Sequence, residues 1–495
     1  MSMSRRGFLK SAAAGLPYLA GAATVPIWVQ KAAAAVCANG LPEDRILVIF
    51  QQAGGNDGLN TVIPYTDPKY LATGAQALRP TLHITSGYNE LGDGLNALHP
   101  NLVRLKNWYS NGNVAIVNNV SYPNPSLSHF SGMDFWELGQ SPGSALTGRQ
   151  GWISRYFDSQ CNGIPPDVID PLSMMAASIS RVPLTLANSG AYVPPAVGSF
   201  PSYSVQVPTT PATYGDLIKD YIFQANGQTV PIDSALDFVC RGANIAQLSA
   251  ADMARAAQTP VISTYPTNSA TLGPGLEMVS RVIRTDFPKI PTRVFYVTQT
   301  GYDTHANQIA AGDVSRGTHA DLLDEMDQAL DAFLNDMAAS GNLGRVTLMS
   351  FSEFGRRPQE NGSRGTDHGT ANCLFVMGGL VNGGVYGGQP DLVNLLSGNQ
   401  GGNLQFNVDF RSVFSVVLRD WLGGDPAAVF GADFTSSAFN IAAGMAGLPL
   451  FDNSGLNETV PVSSGGGLLA GAAIAAAAGA AMLRRDREDS AAAAS

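Results

Sequence analysis

The chain has 495 residues, 45% of them hydrophobic and 14% charged, with 54 Gly, 30 Pro and a formal net charge of −10. That composition excludes a coiled coil, a collagen and a disordered acidic chain, and leaves a loop-rich globular protein long enough for one elaborated domain. Lys and Arg form no clusters in its body, so no nucleic acid is expected among its partners.

Residues 1–35 read as an export signal. Arg5-Arg6-Gly7-Phe8-Leu9-Lys10 is a basic start, the stretch from Ser11 to Val29 is apolar, and Ala32 to Ala35 supply small residues for cleavage. The order resembles a twin-arginine signal, a route that exports folded proteins and so suits a cofactor-loaded or metal-loaded enzyme, and a periplasmic or cell-surface location is expected. Val36 stands where a lipoprotein signal needs a small residue, so lipidation of Cys37 is not expected. The cysteines at 37, 161, 240 and 373 lack C-x-x-C spacing and read neither as a zinc knuckle nor as a redox pair. Export permits disulfides among them without selecting a pair.

Residues 43–450 read as one domain. Ile46 to Phe50 is an all-apolar run of strand length, as expected of a strand buried on both faces of a parallel sheet, and it leads into Gly54-Gly55-Asn56-Asp57. Further strands are predicted at 114–120, 293–297 and 345–349, and helices at 98–109, 129–138, 319–337 and 413–422. The β-α-β order predicts an α/β fold with a mostly parallel sheet, in which ligands bind beyond the carboxyl ends of the strands. Residues 121–278, rich in Pro, Ser and Gly, read as a long insertion or cap.

Three polar clusters fall at those strand ends: Asp57, then Asp303 with His305, then Asp367 with His368. Carboxylate and imidazole in this mixture suit divalent ions such as Zn, Mn or Ca, and two ions side by side can clamp both oxygens of a phosphoryl displacement. The five residues are expected to converge on one pocket. Ser128 opens the helix at 129–138, where it can serve as a nucleophile favoured by the helix dipole or simply as an N-cap. His83 and His99 read as surface or satisfied histidines and His319 as the start of a helix. Arg356 reads as a partner of Glu360 or an anion ligand, and Asp409 with Arg411 as an N-cap pair.

Gly54-Gly55-Asn56-Asp57-Gly58-Leu59-Asn60-Thr61, Ser128-His129-Phe130, Gly301-Tyr302-Asp303-Thr304-His305-Ala306-Asn307-Gln308, Ser352-Glu353-Phe354-Gly355-Arg356, Glu360-Asn361-Gly362 and Gly365-Thr366-Asp367-His368-Gly369 occur in that order. From roughly Arg45 to Asp425 the chain resembles the domain-of-unknown-function 1501 family, grouped with the alkaline phosphatase and sulfatase superfamily. The resemblance implies an α/β/α sandwich, with Asp57, Asp367 and His368 holding one ion and Asp303 with His305 beginning the set for a second. His129, Glu353 and Asp409 are candidates for that second set's remaining ligand. It also implies Ser128 as nucleophile and His129 beside it as catalytic residues. Ser121-Tyr122-Pro123-Asn124-Pro125 lacks the Arg of the sulfatase pattern, which disfavours a formylglycine sulfatase.

After a Gly/Ser-rich linker at 451–467, residues 468–483 form an apolar run of sixteen, nine of them Ala, followed by a basic, Ala-rich tail at 484–495. The arrangement resembles a tripartite sorting tail cut by a rhomboid-type protease and predicts membrane association through this end. Two functions are expected from these features. One is an exported metal-dependent hydrolase of phosphate or sulfate esters acting on a small anionic ester. The other is a non-catalytic envelope protein that keeps the fold and binds an exported partner or a glycan.

Overall fold

Ile46–Ala53 forms β1, and its first seven residues are buried. The run is apolar at successive positions because both faces are covered: Ile46, Val48 and Phe50 belong to one hydrophobic cluster, Leu47 and Ile49 to another. Each such side chain contributes about 1.5–3 kcal/mol relative to exposure. The computed structural model describes residues 45–74, 76–144, 146, 148–160, 174–177, 182–187, 194–203, 249–267, 272–285, 290, 292–435 and 448–452.

In chain order the remaining strands that matter are Val114–Ser121 (β2), Met174–Ala177 (β3), Ala196–Val197 (β4), Val294–Thr300 (β5), Val346–Phe351 (β6), Gly355–Glu360 (β7), Thr366–Gly369 (β8), Asn372–Gly378 (β9), Gly384–Tyr386 (β10) and Val408–Asp409 (β11). Nine of these form the main sheet, in the order β10-β2-β9-β6-β1-β5-β3-β4, with β11 also paired to β2. Every pairing is parallel except those of β9, which runs antiparallel to β2 and β6. β7 and β8 form a separate antiparallel hairpin.

Helices cover both faces. Val103–Ser110 (α1), Leu272–Arg284 (α4) and Thr318–Ala339 (α5) supply Leu105, Leu276, Leu323 and Phe333 to the first cluster. His129–Leu138 (α2), Trp152–Gln160 (α3) and Phe410–Val416 (α6) supply Trp136, Trp152 and Phe414 to the second. The protein is an α/β fold of three layers, helices over a mostly parallel sheet.

The stretch 121–278 contributes β3 and β4 to an edge of the main sheet and α4 to one covering layer, while 161–173 and 204–248 within it lie outside the described residues. The compact unit ends at Phe451 and a second begins at Asp452. The predicted signal, the apolar C-terminal run, Cys37, Cys161 and Cys240 also lie outside the described residues; Cys373 is a buried free thiol. Among the described residues no helix is long and apolar enough to cross a membrane.

Candidate metal centre

The carboxyl ends of β1, β2, β5 and β6 and the amino end of β9 all reach one edge of the sheet. Beyond β5, the backbone of 304–308 lies against 361–366: Asn307 N and Gln308 N donate to Ser363 O and Arg364 O, Thr366 N to Thr304 O, and Asn361 Nδ2 to His305 O at 2.8 Å. Gly365 permits this approach, since a Cβ there would lie 2.3 Å from the His305 carbonyl carbon. In the hairpin His368 pairs with Arg356, so the two side chains emerge together. His129 arrives from the first turn of α2.

His305 Nε2 and His368 Nε2 lie 2.9 Å apart, each 3.1 Å from Asp303 Oδ1, and His129 Nε2 is 3.4 Å from Asp303 Oδ2. Donor atoms of His129, Asp303 and His368 all fall within 4.8 Å of one another. The opposite ring nitrogens are each committed to an acceptor: His129 Nδ1 to Glu353 Oε1 at 2.8 Å, His305 Nδ1 to Asp367 Oδ1 at 3.2 Å, and His368 Nδ1 to Leu127 O at 2.8 Å. A proton on each Nδ1 leaves three Nε2 lone pairs aimed into the cluster, the tautomer a metal ligand needs. At 2.9 Å, His305 Nε2 and His368 Nε2 either share one proton in an N–H···N hydrogen bond or face a common cation. Among the described residues His129, Asp303 and His368 form the group close enough for one ion, with His305 beside it, and imidazole with carboxylate fits a transition-metal ion of the zinc class better than oxygen-preferring Ca.

Burial raises the Asp303 carboxyl, but the Arg356 guanidinium outweighs it and brings it to about 2. The hydrogen bond to Glu353 raises His129, burial lowers His368, and the Asn361 amide lowers Asp367. Glu353, 1% exposed, also accepts Gly54 N at 2.8 Å. It orients His129 and supplies no ligand atom. Arg356 is pinned by the carbonyls of Gly54, Gly55, Tyr302 and Thr366 and reaches Asp303, where the sequence pointed to Glu360. Glu360 instead accepts Thr81 N at 2.8 Å.

Four of the five predicted ligands therefore meet: Asp303, His305 and His368 in the cluster, with Asp367 behind His305. Asp57 does not. Its carboxylate is fully buried and held by both Nη atoms of Arg79, at 2.7 and 2.9 Å, with Gln308 on the same group. Burial raises its pKa, but the Arg79 charge and hydrogen bonds prevail and hold it low. Sequence reading missed Arg79, whose neighbours Leu78 and Pro80 carry no motif. Asp409 caps α6 through Arg411 N and pairs with the Arg411 guanidinium, as an N-cap pair would. His99 and His319 are buried. Ser128 occupies the N-cap of α2 and is exposed, but its side chain makes no capping bond.

Fold and cluster define the class: a three-layer α/β protein with a histidine–carboxylate centre at the carboxyl edge of its sheet. Residues 288–397 match the family model described as protein of unknown function (DUF1501). No curated protein matches the chain. Among solved structures it is similar to a protein in the alkaline phosphatase superfamily from Vibrio parahaemolyticus, at 10% identity and TM-score 0.30, over 69% of this chain and 62% of that one. It is similar to Ps i-CgsB at 11% and 0.29, over 78% and 72%, and to alkaline phosphatase from the Antarctic bacterium TAB5 at 12% and 0.22, over 68% and 92%. The chain thus spans less than two thirds of the first of these, and its fold class rests on its own sheet order.

Proposed function

We propose that the protein is an exported, metal-dependent hydrolase of phosphate or sulfate esters. The observation that carries the metal dependence is the grouping of His129, Asp303 and His368 donor atoms within 4.8 Å, with the Nδ1 of each histidine held by an acceptor. When bound, the ion supplies Lewis-acid polarisation of an ester oxygen and lowers the pKa of a coordinated hydroxyl or water. His129, Asp303 and His368 hold it, with His305 beside them; Glu353, Asp367 and the Leu127 carbonyl keep the imidazoles turned inward. Ser128 stands between Leu127 and His129 at the helix N-terminus, its hydroxyl unspent on capping, where the helix dipole favours an incoming anion. In the proposed reaction Ser128 Oγ bonds to phosphorus or sulfur, the ester oxygen leaves with a proton, and water later frees the serine. The twin-arginine stretch and the apolar C-terminal run support export and membrane association of this enzyme.

The test is metal analysis of the folded full-length chain with assays on aryl phosphate and aryl sulfate esters. Asp303→Asn is expected to lose both metal and activity. Ser128→Ala is expected to keep metal while activity falls by about 100-fold or more. The commitment of Asp57 to Arg79 favours a second reading, a non-catalytic envelope protein with this fold; metal-loaded protein inert toward both esters would select it.

A further inference from the structure

We infer that the chain holds one metal ion, at His129, Asp303 and His368, and that the Arg79 guanidinium stands in for a second ion at Asp57. The inference rests on the metal reading above and goes beyond it in number and in the role of Asp57. A ligand carboxylate needs lone pairs free to face the ion. Asp57 has 0% side-chain exposure, its Oδ1 takes Arg79 Nη2 and its Oδ2 takes Arg79 Nη1 and Gln308 Nε2.

Arg79 is equally committed. Nε donates to Pro358 O at 2.8 Å, Nη1 to Asp57 and to Asn60 Oδ1 at 2.8 Å, and Nη2 to Asp57 and to Arg357 O at 3.0 Å, which uses all five N–H donors. An ion entering here would have to displace a guanidinium that is 1% exposed and leave those acceptors unpaired in the interior. A guanidinium stays protonated at any ordinary pH, so the Asp57 charge is already balanced.

The pair has a use nonetheless. Gln308, which donates to Asp57, accepts Thr304 Oγ1 at 3.1 Å and Thr366 Oγ1 at 2.8 Å. Thr304 lies between Asp303 and His305, and Thr366 precedes Asp367. Asp57 therefore holds Gln308, against which the two segments pack, without touching the ion.

The experiment counts bound zinc, and separately manganese, per full-length chain by elemental analysis, with affinities from calorimetry. One ion per chain is expected. Asp57→Asn is expected to keep that stoichiometry, with affinity within about 3-fold of wild type and a lower melting temperature, whereas Asp303→Asn lowers affinity at least about 10-fold. Two ions per chain, or loss of an ion in a folded Asp57→Asn variant, overturns the inference. If that variant does not fold, the wild-type count decides alone. Zero ions in folded protein overturns both the single ion and the metal reading; one ion without ester cleavage upholds the inference and removes the hydrolase reading.

Discussion

Two aspartates that look alike in sequence carry different charge environments. Asp57 is sealed with Arg79, while Asp303, 47% exposed, shares Arg356 with three imidazoles and keeps Oδ2 turned toward His129. Beneath them His319 is wholly buried, its Nε2 donating to Asn56 Oδ1 at 3.0 Å, and burial lowers its pKa to about 4; burial likewise takes His99 to about 3. Both are neutral in the folded protein. The unfolded chain takes up their protons near pH 6.5, so between 6.5 and 4 it binds more protons than the native state. Stability is therefore full above pH 6.5 and falls on acidification, by on the order of 3 kcal/mol for His319. Urea titrations in chelator from pH 7 to 4 should show a shallower loss for His319→Gln than for wild type. Equal slopes would remove this assignment.

At the scale of elements, the site depends on how closely the ends of β1 and β5 approach. Gly54 follows β1 at φ +125°, donates to Glu353, and accepts from Arg356 through its carbonyl. A Cβ there would lie 2.4 Å from Asp303 N and 2.7 Å from the Tyr302 carbonyl carbon. Backbone cannot yield as a flexible side chain does. Gly54→Ala is expected to cost about 2 kcal/mol or more and, by moving Asp303, to weaken metal binding about 10-fold. Unfolding curves and zinc calorimetry on the one variant check both; wild-type values in each would show that the approach relaxes freely.

At the scale of the whole molecule, the proposed export rests on segments outside the described residues, and its logic is sequential. Arg5 and Arg6 precede an apolar run, and Arg484, Arg485 and Arg487 follow one, so the positive ends would both remain on the cytoplasmic side with the folded body across the membrane. Arg5→Lys with Arg6→Lys is expected to abolish export of the metal-loaded body, read as accumulation in the cytoplasmic fraction. Unchanged amounts outside would sink the twin-arginine proposal.

The sequence by itself determined the strand β1, because burial on both faces demands an unbroken apolar run, and the helix at 129–138, which forms over those residues. It also brought Asp303 and His305 into view, because a parallel sheet sends its strand ends to one edge, whereas Asp367 and His368 reach the site on a separate antiparallel hairpin. β9 and the edge strands β3 and β4 were not legible, since short apolar runs lack a period that separates strand from buried helix. Only tertiary structure decided which aspartate meets a fixed cation and which faces open donors. Arg79 reaches Asp57 from a segment with no motif, and Glu353 becomes an orienting group because β6 sets it behind His129. A carboxylate's role is set by the charge beside it and the water left to it, and packing fixes both.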